Sequence, residues 1–265
     1  MRLKTQITDI LLIGDGMKSF INFHHANLVL KLAETREEIE KARRLRYTEL
    51  IIPSNKDMPY EDSFDDSDFV YDHLLVMEAD SGDVVGTYRL GTRAQLAKLG
   101  AFSIESKFDV TALKNAQGEL LELTRMAIRA DHRDGVVIKM LWKGLFEYCA
   151  HYNVKYLFGV VYLPTLDPQQ AKNFLSYIYH NHVSTDIDLF AKEPVVEMNL
   201  LPADKVDVSL ARKEMHPILK AYMSMGCKFA KTATIDQTFF RSVAVMIVID
   251  WKNINPRYMQ LVTKL

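Results

Sequence analysis

The sequence predicts an α/β fold, a three-layer sandwich in which helices cover both faces of a mixed, central β-sheet. Three observations support this prediction. Residues 28–33 (LVLKLA) alternate as a strand does, and residues 73–90 hold two strand-like runs around a Ser-Gly-Asp turn. Residues 120–163 follow the order strand, helix, strand, which forms a right-handed crossover between parallel strands. An antiparallel hairpin beside a parallel pair makes the sheet mixed.

A helix is predicted directly after the first strand. Thr35 is a favourable N-cap, and Glu38 three residues later completes a capping box. The residues that recur at the spacing of a buried stripe are Ile39, Ala42 and Leu45. Arg46 lies seven residues after Ile39, so the same spacing points this arginine inward.

The later elements alternate between the two periodicities. A short helix is predicted near 93–99, and the strand that begins at 120 leads into a helix from 135. The apolar run 154–163 is typical of a strand that is covered on both faces. The remaining predicted elements are helices near 168–182 and 209–225 and strands near 227–234 and 242–250.

Composition and charge limit the possible functions. The 265 residues carry 33 Lys and Arg against 34 Asp and Glu, a net charge of −1, which argues against a general nucleic-acid-binding protein. The N-terminal apolar run is too short for a secretion signal, and the chain holds no apolar stretch of membrane-spanning length, so any lipid contact is predicted to be peripheral. A cytoplasmic protein is expected, with any lipid contact at the inner face of the membrane.

The chain is predicted to form one domain, residues 27–265, behind an N-terminal extension, residues 1–26. For the extension, an amphipathic helix and a loosely docked tail both remain open. No repeat or low-complexity linker divides the domain. Cys149 and Cys227 lack metal-site spacing and lie in apolar surroundings, so they are predicted to be reduced core thiols, and no metal site is expected.

Charged residues interrupt the apolar strand in LLELTRMAIRADHRDGVV, residues 120–137. Glu122 and Arg125 fall on opposite faces of a regular strand unless a bulge intervenes, so each needs its own partner. Arg46, Arg89 and Arg125 are all predicted to lie near the aspartate-rich loop 58–72. A structural network of ion pairs and a functional site explain this grouping about equally well.

The end of this strand has a second notable feature. Arg133 and Gly135 stand where the strand gives way to a helix, and the free N–H groups of a helix start suit a phosphate. An ordinary turn glycine explains the same pattern.

Five segments together carry a resemblance to a known family. They are YDHLLVMEADSGDVVGTYRL, ELTRMAI, RDGVVIKMLWKGLFEY, YLFGVVYLPTLDPQQAKNFLSYIYHNH and HPILKAYMSMGCKFAKTATIDQTFF. They resemble the ornithine–acyl carrier protein N-acyltransferases, a group related to the acyl-homoserine lactone synthases and the N-acyl amino acid synthases within the Gcn5-related N-acetyltransferase (GNAT) fold. The resemblance runs from about residue 28 to 250, in the order of that family.

The resemblance implies a reaction and a set of site residues. The family moves a fatty acyl group, often 3-hydroxylated, from the 4′-phosphopantetheine of acyl carrier protein to the α-amine of ornithine, and no bound cofactor is expected. The charged positions that match the family's motifs, and that are implied to hold the amine substrate and shape the site, are Arg46, Asp68, Asp72, Arg89, Glu122 and Arg125. The sequence departs from the family at Tyr71, where a cysteine is usual, and in the bulky segment GVVYLPTLDP.

The residues suggest how such a reaction proceeds. A carboxylate in an apolar strand tends to hold protons, so Glu122 is predicted to be the general base, directly or through a water. A backbone N–H freed by a bulge in 122–128 would stabilise the oxyanion, and Tyr162 would protonate the thiolate. Arg133, Gly135, Val136 and Val137 are predicted to hold the pantetheine phosphate.

Charged residues in the sequence are candidates for binding the acceptor's cation and the acidic donor protein. Loop 58–72 holds acidic residues that suit a side-chain cation, as in ornithine, although a solvated acidic loop is the alternative; they are Glu61, Asp62, Asp65, Asp66, Asp68 and Asp72. Acyl carrier protein is acidic, and the candidates for its docking are Arg129, Arg133, Lys139 and Lys143. Lys139 and Lys143 are predicted to share one exposed helix face, which is also what an ordinary solvated helix shows.

Two further functions remain open at this point. One is an acyl-homoserine lactone synthase that uses S-adenosylmethionine. The other is a non-catalytic sensor of acyl carrier protein or of an acyl amino acid. Residues 183–208 break the periodic pattern and are predicted to flank the acyl chain.

Overall fold

A ten-stranded sheet forms the centre of the protein in the computed structural model, which describes residues 20–263. Its strands are β1 (Asn22–His25), β2 (Leu28–Leu32), β3 (Asp72–Glu78), β4 (Val84–Thr92), β6 (Glu119–Ile128), β7 (Val154–Tyr162), β9 (Val195–Glu197), β10 (Lys228–Phe229), β11 (Thr232–Asp236) and β12 (Ser242–Asp250). The short strands β5 (Phe108–Asp109) and β8 (Phe190–Ala191) form a separate antiparallel pair.

The strand order confirms the predicted mixed sheet. The order is β1-β2-β3-β4-β6-β7-β12-β11-β9, with β10 beside β12. The β6–β7 pair is parallel, and the other neighbours in this sheet are antiparallel. The predicted hairpin β3–β4 and the predicted crossover from β6 to β7 are therefore both present.

Helices cover both faces of the sheet. They are α1 (Arg36–Arg46), α2 (Ile52–Ser54), α3 (Arg93–Leu99), α4 (Thr111–Asn115), α5 (Val136–His151), α6 (Lys172–His182), α7 (Val208–Glu214), α8 (Pro217–Ser224) and α9 (Pro256–Thr263). Helices α5, α6 and α8 pack with one face in the largest apolar core. Helix α1 packs over β3, β4 and β6 with a smaller core on the other face.

Helix α1 forms as the sequence predicts. The Thr35 side chain accepts a hydrogen bond from the Glu38 N–H at 3.1 Å, and the Glu38 carboxylate accepts one from the Thr35 N–H at 3.3 Å. The predicted stripe of Ile39, Ala42 and Leu45 is buried, and Arg46 is buried with it. A single π-helical turn, Tyr47–Ile51, continues the helix into α2.

Three predicted segments differ from the structure. The helix predicted near 209–225 is two helices, because Pro217 cannot continue a helix and begins α8 instead. The strand predicted near 227–234 is divided into β10 and β11. The helix predicted near 168–182 begins with a 3-10 turn, Pro168–Ala171, before α6. Residues 183–208 contribute β8, β9 and a 3-10 turn, Ala203–Lys205.

The N-terminal extension begins outside the described residues, since 1–19 fall there. Its last residues are part of the domain: β1 pairs with β2 along the sheet edge, and Ile21 is fully buried. Both cysteines are buried and free, and burial raises the pKa of each thiol. Among the described helices, none is both long and apolar enough to cross a membrane.

The capping box of α1 predicts a measurable loss of stability. Thr35→Ala removes one partner of the Glu38 N–H, so we expect the free energy of unfolding to fall by about 1 kcal/mol in urea denaturation. Thr48→Ala, at an exposed position beyond the helix start, is the matched control and should change it by less than about 0.5 kcal/mol. Equal effects of the two substitutions would show that the cap is not the cause.

Candidate active site

The parallel strands β6 and β7 separate part of the way along their length. They are paired from Glu119 and Val154 to Leu123 and Gly159. Beyond this point β6 continues to Ile128 against β4, and β7 continues to Tyr162 against β12. The sheet therefore opens into a V, which we call the splay, whose edges are backbone of residues 124–128 and 160–162.

Gly159 is required at the apex of the splay. A Cβ atom at this position would lie 2.5 Å from the carbonyl oxygen of Leu123. Only glycine lets the two strands meet there before they diverge.

A β-bulge occupies one edge of the splay. Thr87 lies opposite Ala127 and Arg89 lies opposite Thr124, so two residues of β6, at 125 and 126, face a single residue of β4. The bulge places Arg125 at a φ of +58°. Regular alternation, which would put Glu122 and Arg125 on opposite faces, is interrupted here, and Arg125 reaches the carboxylate that Arg89 also contacts.

Two aspartates join the arginines into one cluster, the arginine cluster, made of Arg46, Arg89, Arg125, Asp65 and Asp68. Asp68 Oδ1 lies 2.7 Å from Arg46 Nη2 and 3.0 Å from Arg89 Nη1. Asp65 lies 3.1 Å from Arg89 and 3.8 Å from Arg125. Arg46, Arg89 and Asp68 are almost completely buried. The ion-pair network that the sequence left open is therefore present.

The charges in the cluster hold one another ionised. Burial favours the neutral form of Asp68, but the guanidinium groups of Arg46 and Arg89 outweigh burial and hold its pKa below the usual value. The pKa of Asp65 is lowered in the same way by Arg89, against burial. Burial lowers the pKa of Arg46 to about 10, with Asp68 opposing, so this side chain stays charged at neutral pH.

The cluster has more positive than negative charge. It combines three guanidinium groups with two carboxylates, and Arg46 Nη1 and Arg89 Nη2 are buried without a hydrogen-bond partner among the described residues. Buried donors without partners are costly and rare in folded proteins. A carboxylate would fit the fork of such a guanidinium.

A turn between β11 and β12 covers the open side of Arg125. The Arg125 guanidinium lies 4.0 Å from the ring centroid of Phe239, and Phe240 packs 4.1 Å from the ring of Tyr162. The Asp236 carboxylate holds this turn by accepting hydrogen bonds from the N–H groups of residues 238–240. Sequence reasoning missed this turn, although an aspartate three and four residues ahead of an aromatic pair is a detectable turn signal.

Glu122 lies on the same sheet face as Arg89 and has no exposed surface. It accepts hydrogen bonds from Tyr71 Oη at 2.6 Å, Ser103 Oγ at 2.8 Å, Ile104 N at 2.8 Å and Ser103 N at 3.1 Å. These bonds fasten the turn Ser103–Ser106 and the loop before β3 onto β6. A proton from a substrate can reach this carboxylate only if one of the donors moves or passes its own proton on.

Asp72, which the resemblance implies to be a substrate-binding residue, does not join the arginine cluster. It begins β3 and points to the other face of the sheet, where its carboxylate accepts a hydrogen bond from Tyr148 Oη at 2.6 Å. Burial raises the pKa of Asp72. Asp65 and Asp68 are engaged by arginines, and the Asp66 side chain lies outside the described part of the chain. Loop 58–72 thus offers fewer free carboxylates for a substrate cation than its sequence suggests.

The predicted phosphate-binding residues lie where β6 leads into α5, but several of their donors are engaged. Arg133 Nη2 donates to Glu49 at 2.5 Å, and its Nε donates to the Ile128 carbonyl at 3.1 Å. The Val136 N–H donates to the Asp134 side chain at 2.9 Å, and Gly135 has a φ of +99°. The Val137 side chain is buried in the core.

The predicted docking residues are also partly neutralised. Arg129 contacts Glu78 at 2.7 Å and Asp131 at 2.8 Å. Lys139 is exposed, but the prediction that Lys143 shares its exposed face is wrong. The Lys143 side chain is only 17% exposed, because it packs 4.7 Å from the Phe23 ring on β1 and lies 3.5 Å from Glu147.

A cleft of about 530 Å³ opens beside the site. One wall is Ser106 and Lys107, which end the turn that holds Glu122, and the other is the Asp236 turn, which covers Arg125. Both walls thus continue inward to predicted site residues. No group of three or more potential metal ligands occurs among the described residues.

Comparisons with known proteins agree with the predicted fold. Residues 47–143 match the family model described as an acetyltransferase (GNAT) domain. An L-ornithine N(alpha)-acyltransferase of Rhodobacter capsulatus is 27% identical over 89% of this chain and 94% of the relative. The protein of the same name from Agrobacterium fabrum is 29% identical over 87% of this chain and 83% of the relative.

Among solved structures, an N-acyl amino acid synthase from uncultured soil microbes aligns with a TM-score of 0.48 and 10% identity, over 88% of this chain and 97% of that one. The acyl-homoserine lactone synthase LasI aligns with a TM-score of 0.44 and 12% identity, over 84% and 89%. The family-model match and the named relatives confirm the GNAT fold and the resemblance to the ornithine N-acyltransferases.

The lowered pKa of Asp68 leads to a prediction about acid stability. A carboxyl group whose pKa is lower in the folded protein stabilises it above the unfolded pKa of about 4, and this contribution is lost as the pH falls through the lower, folded value. Asp68→Asn leaves two buried arginines short of a counter-charge, so we expect it to lower the free energy of unfolding at pH 7 by roughly 3–5 kcal/mol. Urea denaturation of both proteins from pH 7 to pH 3 should show this difference shrinking. A difference independent of pH would point to packing instead.

Proposed function

We propose that this acyltransferase of the GNAT fold transfers a fatty acyl group from the phosphopantetheine thioester of acyl carrier protein to the α-amine of ornithine. The observation that carries the proposal is the arginine cluster, in which Arg46 and Arg89 each keep a guanidinium nitrogen without a partner and Arg89 donates a hydrogen bond to Thr124 at one edge of the splay. An amino acid brings a carboxylate for the cluster and an amine for the thioester. A simple acyl-group hydrolysis would use no such anion site.

The acceptor's α-carboxylate is proposed to lie against Arg89 Nη2, Arg46 Nη1 and Arg125. Such a carboxylate would satisfy the two buried donors that lack a partner and would offset the surplus positive charge. The cleft between Lys107 and the Asp236 turn is the proposed way in. Ornithine, rather than another amino acid, is supported by the names of the relatives.

The acyl donor is proposed to enter through the splay. The edges of a β-strand present unpaired N–H and C=O groups, which can bind the amide groups of the pantetheine arm. The bulge at Arg125 displaces the backbone on one edge, so that an N–H group there can face the developing oxyanion. The start of α5, at the end of the same strand, is where the phosphate of the arm would lie.

Proton transfers complete the proposed reaction. The acceptor nitrogen forms a bond to the acyl carbon, the carbon–sulfur bond breaks, and the thiolate takes up a proton. Glu122 is the proposed acceptor of the amine proton, and its hydrogen bond from Tyr71 gives that proton a route, since Tyr71 can accept a proton while passing its own to Glu122. Burial raises the pKa of Tyr162, so this residue stays protonated and can donate a hydrogen bond to the departing thiolate, which takes its proton from solvent.

A direct assay tests the proposed function. The protein is incubated with acyl-loaded carrier protein and, separately, with ornithine, lysine, glycine, tyrosine and S-adenosylmethionine, and the products are identified by mass. We expect N-acylornithine as the main product. A lactone formed from S-adenosylmethionine would identify an acyl-homoserine lactone synthase instead, and the absence of product with every acceptor would favour a sensor.

The role of Arg125 in holding the acceptor's carboxylate can be separated from its other contacts. Arg125→Gln removes a charged donor, so we expect KM for ornithine to rise on the order of 10- to 100-fold. KM for ornithine amide, which lacks the carboxylate, should hardly change. Arg129→Gln, an arginine near the same strand but outside the cluster, is the control. If KM rose equally for ornithine and for ornithine amide, Arg125 would not bind the carboxylate.

Glu122→Gln tests the proposed base. Loss of general-base catalysis should lower kcat by roughly 10²–10⁴-fold at neutral pH. The loss should become smaller as the pH approaches the pKa of the acceptor's amine, because less of the amine then needs a base. A loss that stays constant with pH, together with a lower Tm, would show that Glu122 only holds the turn Ser103–Ser106.

A further inference from the structure

Helices α7 and α8 carry a group of basic residues whose charge is not neutralised within the protein. Arg212, Lys213 and Lys220 are exposed, and we call them the α7–α8 basic surface. No carboxylate of the described residues 20–263 lies within 4.0 Å of any of the three, in contrast to Arg129, Arg133 and Lys143 near the start of α5. Charge that no internal partner neutralises is available to an external one.

A cavity of about 360 Å³ lies under this surface. Its apolar lining comes from Tyr177, Met215 and Met223, and Arg212 and Lys220 stand at its border with Ser224. An apolar floor with cations at the rim suits an acidic surface that also presents an apolar side chain.

The surrounding charges keep the surface positive. Arg212 and Lys228 both lower the pKa of His182, in addition to burial, which shows that two cations act on the same place. Asp207 and Glu214 are the acidic residues of this segment. Asp207 caps α7 by accepting a hydrogen bond from the Leu210 N–H at 2.9 Å, and it raises the pKa of Glu214 in addition to burial. These two lie seven residues apart on one side of α7, away from Arg212.

The surface lies close to the proposed donor route. His216, between the two helices, has its pKa lowered by burial and by Arg133, which follows β6. From there α8 packs onto the sheet: Tyr222 contacts Tyr88 through their hydroxyl groups and packs 5.3 Å from the Trp142 ring. Tyr88 is the residue opposite the bulge. Helix α8 therefore packs on β4 opposite the bulge, and its first turn lies near Arg133 at the end of β6, the strand that forms one edge of the splay.

We infer that acyl carrier protein docks on the α7–α8 basic surface, with an acidic helix facing Arg212, Lys213 and Lys220. This inference rests on the proposed function, since it takes acyl carrier protein as the donor. It differs from the docking face predicted from the sequence, where Arg129 and Arg133 are paired with Glu78 and Glu49, and Lys143 is half-buried. Those side chains would have to break internal contacts before they could bind a partner.

Charge reversal tests the inference with the full-length protein. The variant R212E/K213E/K220E is compared with K139E/K143E and with K252E, an exposed lysine at the far end of β12. Each is assayed with acyl-loaded carrier protein and with an S-acyl pantetheine thioester that lacks the protein. We expect the triple variant to raise KM for the carrier protein on the order of tenfold or more and to weaken its salt dependence. The triple variant should use the small thioester at the same rate as the unaltered protein does.

The controls separate a wrong docking face from a wrong proposed function. A larger effect from K139E/K143E than from the triple variant would overturn the inference in favour of the face at the start of α5. Equal losses with both donors, or no change in the triple variant, would also overturn it. If instead the unaltered protein used the small thioester but never the acyl carrier protein, the proposed function would fail and not the docking face alone. Binding of the unaltered protein, but not the triple variant, to anionic vesicles without any effect on carrier-protein KM would assign the surface to a membrane.

Discussion

The buried contact between Asp68 and the two arginines Arg46 and Arg89 holds the parts of the site together. It links the end of α1, the loop before β3 and the middle of β4, three elements that are far apart in sequence. A buried charge without a partner is strongly unfavourable, so these elements can only be packed when all three side chains meet. The same two guanidinium groups each keep one buried nitrogen without a hydrogen-bond partner among the described residues. The contact that the fold requires therefore also supplies the donors that we propose for the acceptor's carboxylate.

The bulge in β6 decides where the strand directs its charge. In a regular strand, Arg125 would point to the face of the sheet that α5 covers, away from Asp65. The extra residue turns it toward Asp65 and under Phe239 instead. The bulge also ends the pairing that would close the sheet, so the splay and the position of Arg125 have a common cause.

The sequence predicted those features that a local pattern determines. The capping box of α1, the inward Arg46, the hairpin β3–β4 and the parallel pair β6–β7 each follow from residues within one or two elements. Asp72 and Lys143 could not be placed in this way, because their surroundings come from distant segments. Lys143 is half-buried by Phe23 of β1, a strand formed by residues assigned to the extension, and Asp72 faces Tyr148 on α5. The position of the bulge had no sequence signal, since an arginine at positive φ is a rare choice.

The distribution of paired and unpaired charge distinguishes the two binding surfaces that we propose. With 33 basic and 34 acidic residues, the chain could neutralise almost every cation internally. In the arginine cluster the donors without a partner are buried. A buried donor without a hydrogen bond costs about 1–3 kcal/mol, and a small anion bound to it would recover that free energy. On the α7–α8 basic surface the cations are hydrated and cost the fold little, and they act mainly by attracting a charged partner over a Debye length of about 10 Å. Buried donors without a hydrogen-bond partner therefore suit selection of the acceptor, and exposed cations without an ion-pair partner suit capture of the donor.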